Sequence, residues 1–416
     1  MHPFPTKYLK QHYPVLGTEI EEAATRLSTQ QYSDTSFANQ DKVLKAFGRH
    51  KVSADDLWGS TGYGYNDLGR EKLEAVFCTV FDTERALVRP NIVSGTHAIW
   101  LALSANVKPG QKVLSVTGEP YPTMKSVLAA DGPGSFKEIG IEFDAVDLTE
   151  TGDFDYNKIQ DWIDADTAVI YVQKSRGYSL RAPLSCGAID EFTNWLNGCT
   201  YRPVVLVDNC YGEFVEILEP SQCGADIIAG SLIKNPGGGL AETGGYIAGR
   251  ADLVANAEQK LLAPGLTDMG ATGTMLRSIF QGFFLAPHWV GQALTVARYG
   301  AIMGELLSYE VYPQWKASRH DIVQTLVLND RNLMSRFCST IQSRSPIDSF
   351  VTPTEGLIPG YNSPVLMAAG SFIQGASLEL SADGPACPPY IVYVQGSLGI
   401  EHGLLALTEA FAALKQ

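Results

Sequence analysis

Lys234 is the residue in this chain whose placement most invites chemistry. It follows a strand-like apolar run, residues 225–229, and Gly230-Ser231-Leu232-Ile233, and it precedes Asn235-Pro236 and a triple glycine, Gly237-Gly238-Gly239. Lysine is seldom set where a buried strand meets a loop unless its amine has work to do. One use is a Schiff base with pyridoxal phosphate, and that cofactor needs partners that can be sought elsewhere in the chain. The plainer alternative is a surface lysine at a turn.

The first partner is an acid for the pyridine nitrogen. Asp208 closes an apolar run, residues 203–207, that reads as a buried parallel strand 26 residues before Lys234. Ligands of open α/β sheets bind beyond such strand ends. On its own, Asp208 would as readily cap a helix. The second partner is a phosphate cradle. Ile92-Val93-Ser94-Gly95-Thr96-His97 reads as a short strand and a tight glycine turn opening an apolar-faced helix, whose first N–H groups are free. Gly95 lets the backbone come close, and the hydroxyls of Thr96 and Ser231 could add to the set. An ordinary N-cap at Ser94 or Thr96 explains the same residues. The third partner is an aromatic plate: Tyr121 emerges just past the strand at residues 113–116, on the face expected for Asp208 and Lys234.

Taken together these segments resemble the methionine γ-lyase-like proteins known as aluminium resistance proteins, relatives of the cystathionine lyases and synthases. The resemblance runs over nearly the whole chain. It rests on Ser60-Thr61-Gly62-Tyr63-Gly64-Tyr65, Asp67-Leu68-Gly69-Arg70, Ser94-Gly95-Thr96-His97, Gly118-Glu119-Pro120-Tyr121 and Ser175-Arg176-Gly177-Tyr178. It continues through Val207-Asp208-Asn209-Cys210-Tyr211-Gly212, the Lys234 segment, Pro359-Gly360-Tyr361, Glu379-Leu380-Ser381-Ala382-Asp383-Gly384-Pro385 and Glu401-His402. Each motif is weak alone; the ordered set is specific. It implies a fold-type I pyridoxal-phosphate enzyme. Lys234 would carry the internal aldimine, Asp208 would hold the pyridinium, and Ser94, Gly95, Thr96, His97 and Ser231 would hold the phosphate. Tyr121 would stack on the ring and serve as acid to the leaving group. Tyr63 or Tyr65 would reach a neighbouring subunit's phosphate, so the unit would be a homodimer or homotetramer with shared sites.

The chain departs from the family pattern on the substrate side. Ala386-Cys387-Pro388-Pro389-Tyr390 stands where an arginine usually precedes the Pro-Tyr pair. Ser397-Leu398-Gly399-Ile400 replaces Gly-Leu-Thr-Tyr, and Lys174 replaces an arginine. An arginine fork is a natural clamp for an α-carboxylate, and Cys387 cannot take that role. Either Arg176, Arg181 or Arg319 is the clamp, or the substrate is unusual. The expected reaction is β- or γ-elimination or replacement on a sulfur-containing, amino-acid-like substrate. The freed Lys234 amine, its pKa lowered by desolvation, would move the α-proton. The alternative is a biosynthetic enzyme of specialised metabolism that forms C–C or C–N bonds. A third class is a binding protein that keeps the cofactor as structure.

Composition agrees with a cytoplasmic enzyme. The chain has 416 residues, and 31 Lys and Arg against 45 Asp and Glu give a net charge of −14, which argues against a nucleic-acid surface. Seven scattered cysteines form no Cys-x-x-Cys pair and read as free thiols in a reducing compartment. No apolar signal core and no membrane-spanning run is found. Histidines lack metal-ligand spacing, and no Gly-Lys-Ser/Thr follows the triple glycine, so neither a metal site nor a nucleotide-binding P-loop is expected. Those glycines are expected to let the backbone pass close to the cofactor or to a neighbouring chain.

Three regions are expected to position these residues. Residues 1–58 form a helical arm with little core of its own, packed on a neighbour. Residues 59–309 form a large α/β domain whose strands, at 113–116, 168–172, 204–207, 226–229 and 245–248, make a mostly parallel sheet. A helix covers 251–262, and further helices within 270–309 lie at a subunit or domain junction. Residues 310–416 form a small C-terminal α+β domain with strands at 322–328, 364–369 and 390–394 and helices at 332–342 and 401–414.

Overall fold

The computed structural model describes residues 4–28, 34–129, 132–358, 361 and 363–415. Pro359 and Gly360 of the family motif lie outside them. The chain begins with three helices, α1 (Thr6–His12), α2 (Gly17–Ser28) and α3 (Asp34–Arg49). Their apolar stripes pack on this chain itself: Leu9, Leu16, Ile20 and Ala23 enter the C-terminal core, and Val43 and Ala46 enter the core of the large sheet. The arm lies across the chain's own two cores.

The large sheet follows, built from α4 (Leu68–Phe81), β1 (Arg85–Arg89), α5 (Gly95–Ser104), β2 (Lys112–Ser115), α6 (Pro122–Leu128), β3 (Glu142–Ala145), α7 (Tyr156–Trp162), β4 (Thr167–Gln173), α8 (Cys186–Leu196), β5 (Val204–Asp208), β6 (Ile227–Ser231) and β7 (Gly245–Gly249). The strand order is β1-β7-β6-β5-β4-β2-β3. β3, β2, β4, β5 and β6 run parallel, and β7 is antiparallel to both its neighbours. β5 and β6 are covered on both faces, which is why they read as unbroken apolar runs. Two strands depart from expectation. Residues 92–93 are loop; the strand is β1, and Pro90, which has no N–H to give a ladder, ends it. β3 went unseen because Glu142-Phe143-Asp144-Ala145 is a polar, half-exposed edge.

After α9 (Ala251–Leu261), α10 (Leu276–Leu306) is a single helix of 31 residues rather than several. Its first half packs in the large core through Ile279, Phe280 and Phe283, and its second half packs in the C-terminal core through Val296, Tyr299 and Met303. It is therefore the beam that fixes one core relative to the other. The C-terminal part contains β8 (Glu310–Tyr312), β9 (Val323–Val327), α11 (Arg331–Ser343), β10 (Val365–Ala368), β11 (Ser381–Pro385), β12 (Ile391–Gln395) and α12 (Ile400–Leu414). Its five strands form an antiparallel sheet, β10-β11-β12-β9-β8. β11 was missed because Ser381-Ala382-Asp383-Gly384-Pro385 has almost no strand-forming residues; its register comes from pairing with β10 and β12.

The triple glycine also has a different use from the one expected. It passes against this chain's own α10. A Cβ on Gly238, where φ is +54°, would lie 2.1 Å from the carbonyl oxygen of Gly282, and one on Gly282 would lie 2.0 Å from that of Gly237. Backbone thus meets backbone with no room for a methyl group on either side. The loop that carries Lys234 is pressed onto the beam helix. Among the described residues no helix is long and apolar enough to cross a membrane.

Candidate active site

A cleft of about 340 Å³ opens at the carboxyl ends of β4, β5 and β6, and one face of the C-terminal sheet walls it on the far side. Lys234, Asp208, Ser231, Ser94, Gly95, Thr96 and Tyr121 all line it. Residues spread over 141 positions, from Ser94 to Lys234, are brought together because parallel strands release their connections at one edge of the sheet.

Asp208 is the last residue of β5 and is buried. Its Oδ2 accepts the Tyr171 hydroxyl at 3.2 Å and its Oδ1 accepts the Cys210 N–H at 3.1 Å, so the carboxylate is held in one orientation. Burial raises its pKa, opposed by Lys234 and by the bonds from Cys210 and Tyr171. The Lys234 amine rests over the Tyr211 ring, 3.9 Å from its centroid. Its backbone is held by its neighbours: Leu232 N–H donates to Gly244 at 2.9 Å, and the Asn235 amide donates to the Glu213 carbonyl at 2.9 Å. Burial alone would lower the Lys234 pKa, as the sequence suggested. The net shift is instead upward, because Cys210, Tyr211, Asp208 and Tyr121 surround it as acids and outweigh desolvation.

Ser94 caps α5, with its Oγ accepting the His97 N–H at 3.0 Å. The ordinary capping role is thus filled, and it also aims the first turn of α5 at the cleft. Gly95 is packed close to β6: a Cβ there would meet Cys210 Sγ at 3.1 Å and Ser231 Cβ at 3.3 Å. Ser231 Oγ is buried and has no hydrogen-bond partner. A buried hydroxyl with no partner beside the amino end of a helix is a place prepared for an anion. The residues present therefore fit the phosphate of pyridoxal phosphate. Tyr121 N–H is held by Gln173 Oε1 at 3.1 Å, and the Tyr121 hydroxyl lies 3.2 Å from Thr96 Oγ1. Burial, with Asp208 and Cys210 nearby, pushes its phenol well above the usual value, so it keeps its proton at neutral pH.

Other expected residues lie elsewhere. The His97 ring does not line the cleft; its Nδ1 accepts the Val93 N–H at 3.3 Å. Arg176 and Arg181 are both outside the lining. Arg176 is buried behind the wall, with Nη1 3.4 Å from Thr325 Oγ1 and Nε 3.6 Å from Asp321. Arg181 donates to the carbonyls of Gln173 at 2.7 Å and Ser175 at 2.5 Å. Arg319, the third clamp considered, donates to Gln324 at 2.5 Å and is likewise away from the cleft. Lys174 is fully buried and tied to Glu216 and the His320 carbonyl, both at 2.9 Å. Cys387 is exposed in the turn between β11 and β12 and does not line the cleft. Lys234 is the one basic side chain among the described residues of the lining. Tyr63 and Tyr65 stack on each other at 5.4 Å, are 67% and 64% exposed, and do not line this chain's own cleft.

Several residues in or behind the lining had been given no role. Tyr171 orients Asp208, and a tyrosine inside an otherwise apolar buried strand is a signal, because its hydroxyl must find a partner. Tyr211 has φ +70°, a conformation its side-chain type does not reveal. Tyr178, Tyr361, Asp383 and Tyr393 come from four separate segments; Asp383 and Tyr393 are paired across β11 and β12, and the docking of the two sheets brings Tyr178 to them.

A family model described as methionine gamma-lyase matches residues 17–415. The Bacillus subtilis protein YnbB is 45% identical over 390 residues, 93% of each chain. A solved structure from Listeria monocytogenes, described as a candidate cystathionine beta-lyase involved in aluminium resistance, superposes with a TM-score of 0.92 at 45% identity, covering 94% of this chain and 98% of that one. Another from Clostridium novyi, described as a carbon–sulfur lyase involved in aluminium resistance, has a TM-score of 0.91 at 39% identity and covers 99% of both.

Proposed function

The chain belongs to the methionine γ-lyase family of pyridoxal-phosphate enzymes, and from that premise we propose that it eliminates or replaces a sulfur group at the β or γ carbon of an amino-acid-like substrate, with Lys234 as the covalent anchor of the cofactor. The observation that carries this is the meeting of Lys234, the oriented Asp208 and the unpartnered Ser231 hydroxyl at one end of the sheet. When bound, pyridoxal phosphate withdraws electron density from the substrate carbon that bears the amine.

The chain's own residues have separate tasks. The N–H groups of Gly95 and Thr96 and the Ser231 hydroxyl would hold the phosphate. Asp208, fixed by Tyr171 and Cys210, would pair with the ring nitrogen and keep it protonated. The Lys234 amine holds and moves the substrate α-proton. The Tyr121 ring would stack on the cofactor, and its protonated hydroxyl could donate to a departing sulfur. The biosynthetic alternative draws on one observation: no arginine lines the cleft among the described residues, so the usual α-carboxylate clamp is missing.

The test is to incubate holoprotein with a panel of S-substituted cysteines and homocysteines. Thiol, ammonia and 2-oxoacid should appear in equal amounts, or the sulfur group should exchange with an added thiol. Methionine, cystathionine and cysteine should be poor substrates, and Cys387→Arg should improve them if that position governs carboxylate binding. Intact substrate across the whole panel would refute the carbon–sulfur reading.

The site is also proposed to be shared between subunits. The turn bearing Tyr63 and Tyr65 is rigid: Arg70 donates to the carbonyls of Gly64 at 2.9 Å, Gly270 at 3.0 Å and Asp268 at 2.8 Å. A rigid turn presenting two stacked, exposed tyrosines suits delivery to a partner's phosphate. Mixing Lys234→Ala protein with Tyr63→Phe/Tyr65→Phe protein, followed by subunit exchange, should restore roughly a quarter of wild-type activity, since half of random dimers are mixed and each has one intact site. A fully active monomer, or no recovery in verified mixed dimers, would contradict sharing.

A further inference from the structure

Asp383 is the acid on the side of the cleft opposite Asp208, and the tasks proposed above do not use it. It lies on β11, faces the cleft beside Met367 on β10 and Tyr393 on β12, and is 5% exposed. Gln395 Nε2 donates to its Oδ2 at 3.3 Å, while Oδ1 is buried with no hydrogen-bond partner. Three tyrosine rings gather around it: Tyr178 packs on Tyr393 at 4.9 Å and on Tyr361 at 5.5 Å. No cation answers this carboxylate. The Lys234 amine rests on Tyr211 instead, and no arginine shares the lining. Burial pushes its pKa up to about 7, against the nearby Tyr178 hydroxyl and the Gln395 amide, as expected for an acid deprived of a counter-ion.

A carboxylate with an open oxygen, framed by aromatic rings, is a recognition site for an ammonium group: the acid supplies the charge and the ring faces supply cation–π attraction. We infer that Asp383 is a specificity-determining residue that receives a primary ammonium at the distal end of the substrate, beyond the amine that engages the cofactor. The inference rests on reading the cleft as an amino-acid site. It also suits the missing arginine, because a cationic distal group is drawn to the wall that lacks a guanidinium.

S-(2-aminoethyl)cysteine and S-propylcysteine, which match in length and differ in the terminal ammonium, provide the test. Each is titrated into holoprotein while the cofactor absorbance is followed. Wild type should bind the aminoethyl compound roughly ten- to a hundredfold more tightly, the range for a hydrogen bond to a charged group. Asp383→Asn should erase that preference while leaving S-propylcysteine affinity within about twofold, a control that the variant is folded and loaded. Equal affinity of the two compounds for wild type overturns the inference without any variant, and so does a preference that survives in Asp383→Asn. If neither compound perturbs the spectrum, the amino-acid reading of the cleft fails and the role of Asp383 fails with it.

Discussion

Borohydride treatment of the holoprotein should fix pyridoxal phosphate to the peptide that contains Lys234, and Lys234→Ala should lose both the adduct and turnover. A positioned acid–base group alone contributes roughly 10²–10⁴-fold, so the loss should be at least of that size. The fold should survive. The side chain's main partner is the Tyr211 ring, a contact of about 0.5–2 kcal/mol, and the loop is held by Leu232, Asn235 and the glycine packing on Gly282 rather than by the amine. Lys174 is the informative rival, because it is a fully buried lysine near the strand ends. Its amine is already bonded to Glu216 and to a carbonyl, which leaves it unable to attack a carbonyl carbon. Label recovered on Lys174, or purified protein without visible absorbance, would overturn the assignment.

Asp208→Asn should fold, bind cofactor and turn over at least about a hundredfold more slowly. The amide keeps the shape and an acceptor for the Cys210 N–H. What it loses is the charge that keeps a ring nitrogen protonated, and losing a buried charge-assisted contact in a transition state costs about 3 kcal/mol or more. Tyr171→Phe should have a smaller effect in the same direction, since it removes the hydroxyl that orients Oδ2 without removing the charge. Rates would be compared at saturating cofactor, with thermal unfolding as the control for folding. Near wild-type turnover in Asp208→Asn would remove Asp208 from this role.

The half of the cleft proposed to hold the cofactor was legible in the sequence because its residues sit at the ends of recognisable local patterns. Asp208 ends an apolar run, Lys234 follows another, and Ser94-Gly95-Thr96 opens an apolar-faced helix. Parallel strands place such ends together whatever fills the space between them. The substrate half was not legible in this way. Arg176, Arg181 and Arg319 looked like clamps by type, yet each turned inward to buried or backbone partners. A side chain's direction depends on what the tertiary structure offers it. The triple glycine shows the same limit: close approach was evident, but that Gly282 of α10 is one of the partners was not.

The sequence by itself determined the strand ends, the helix cap at Ser94, and that Asp208 and Lys234 stand at strand ends, because these follow from short-range periodicity and from residue types with few other uses. Only the tertiary structure decided what faces the anchor. Tyr178, Tyr361, Asp383 and Tyr393 are distant in the chain and belong to no common motif, and β11 has almost no strand propensity of its own. They meet because α10 is continuous through both cores and docks the antiparallel sheet over the end of the parallel one. That arrangement follows from packing between whole elements, which no local stretch of sequence encodes.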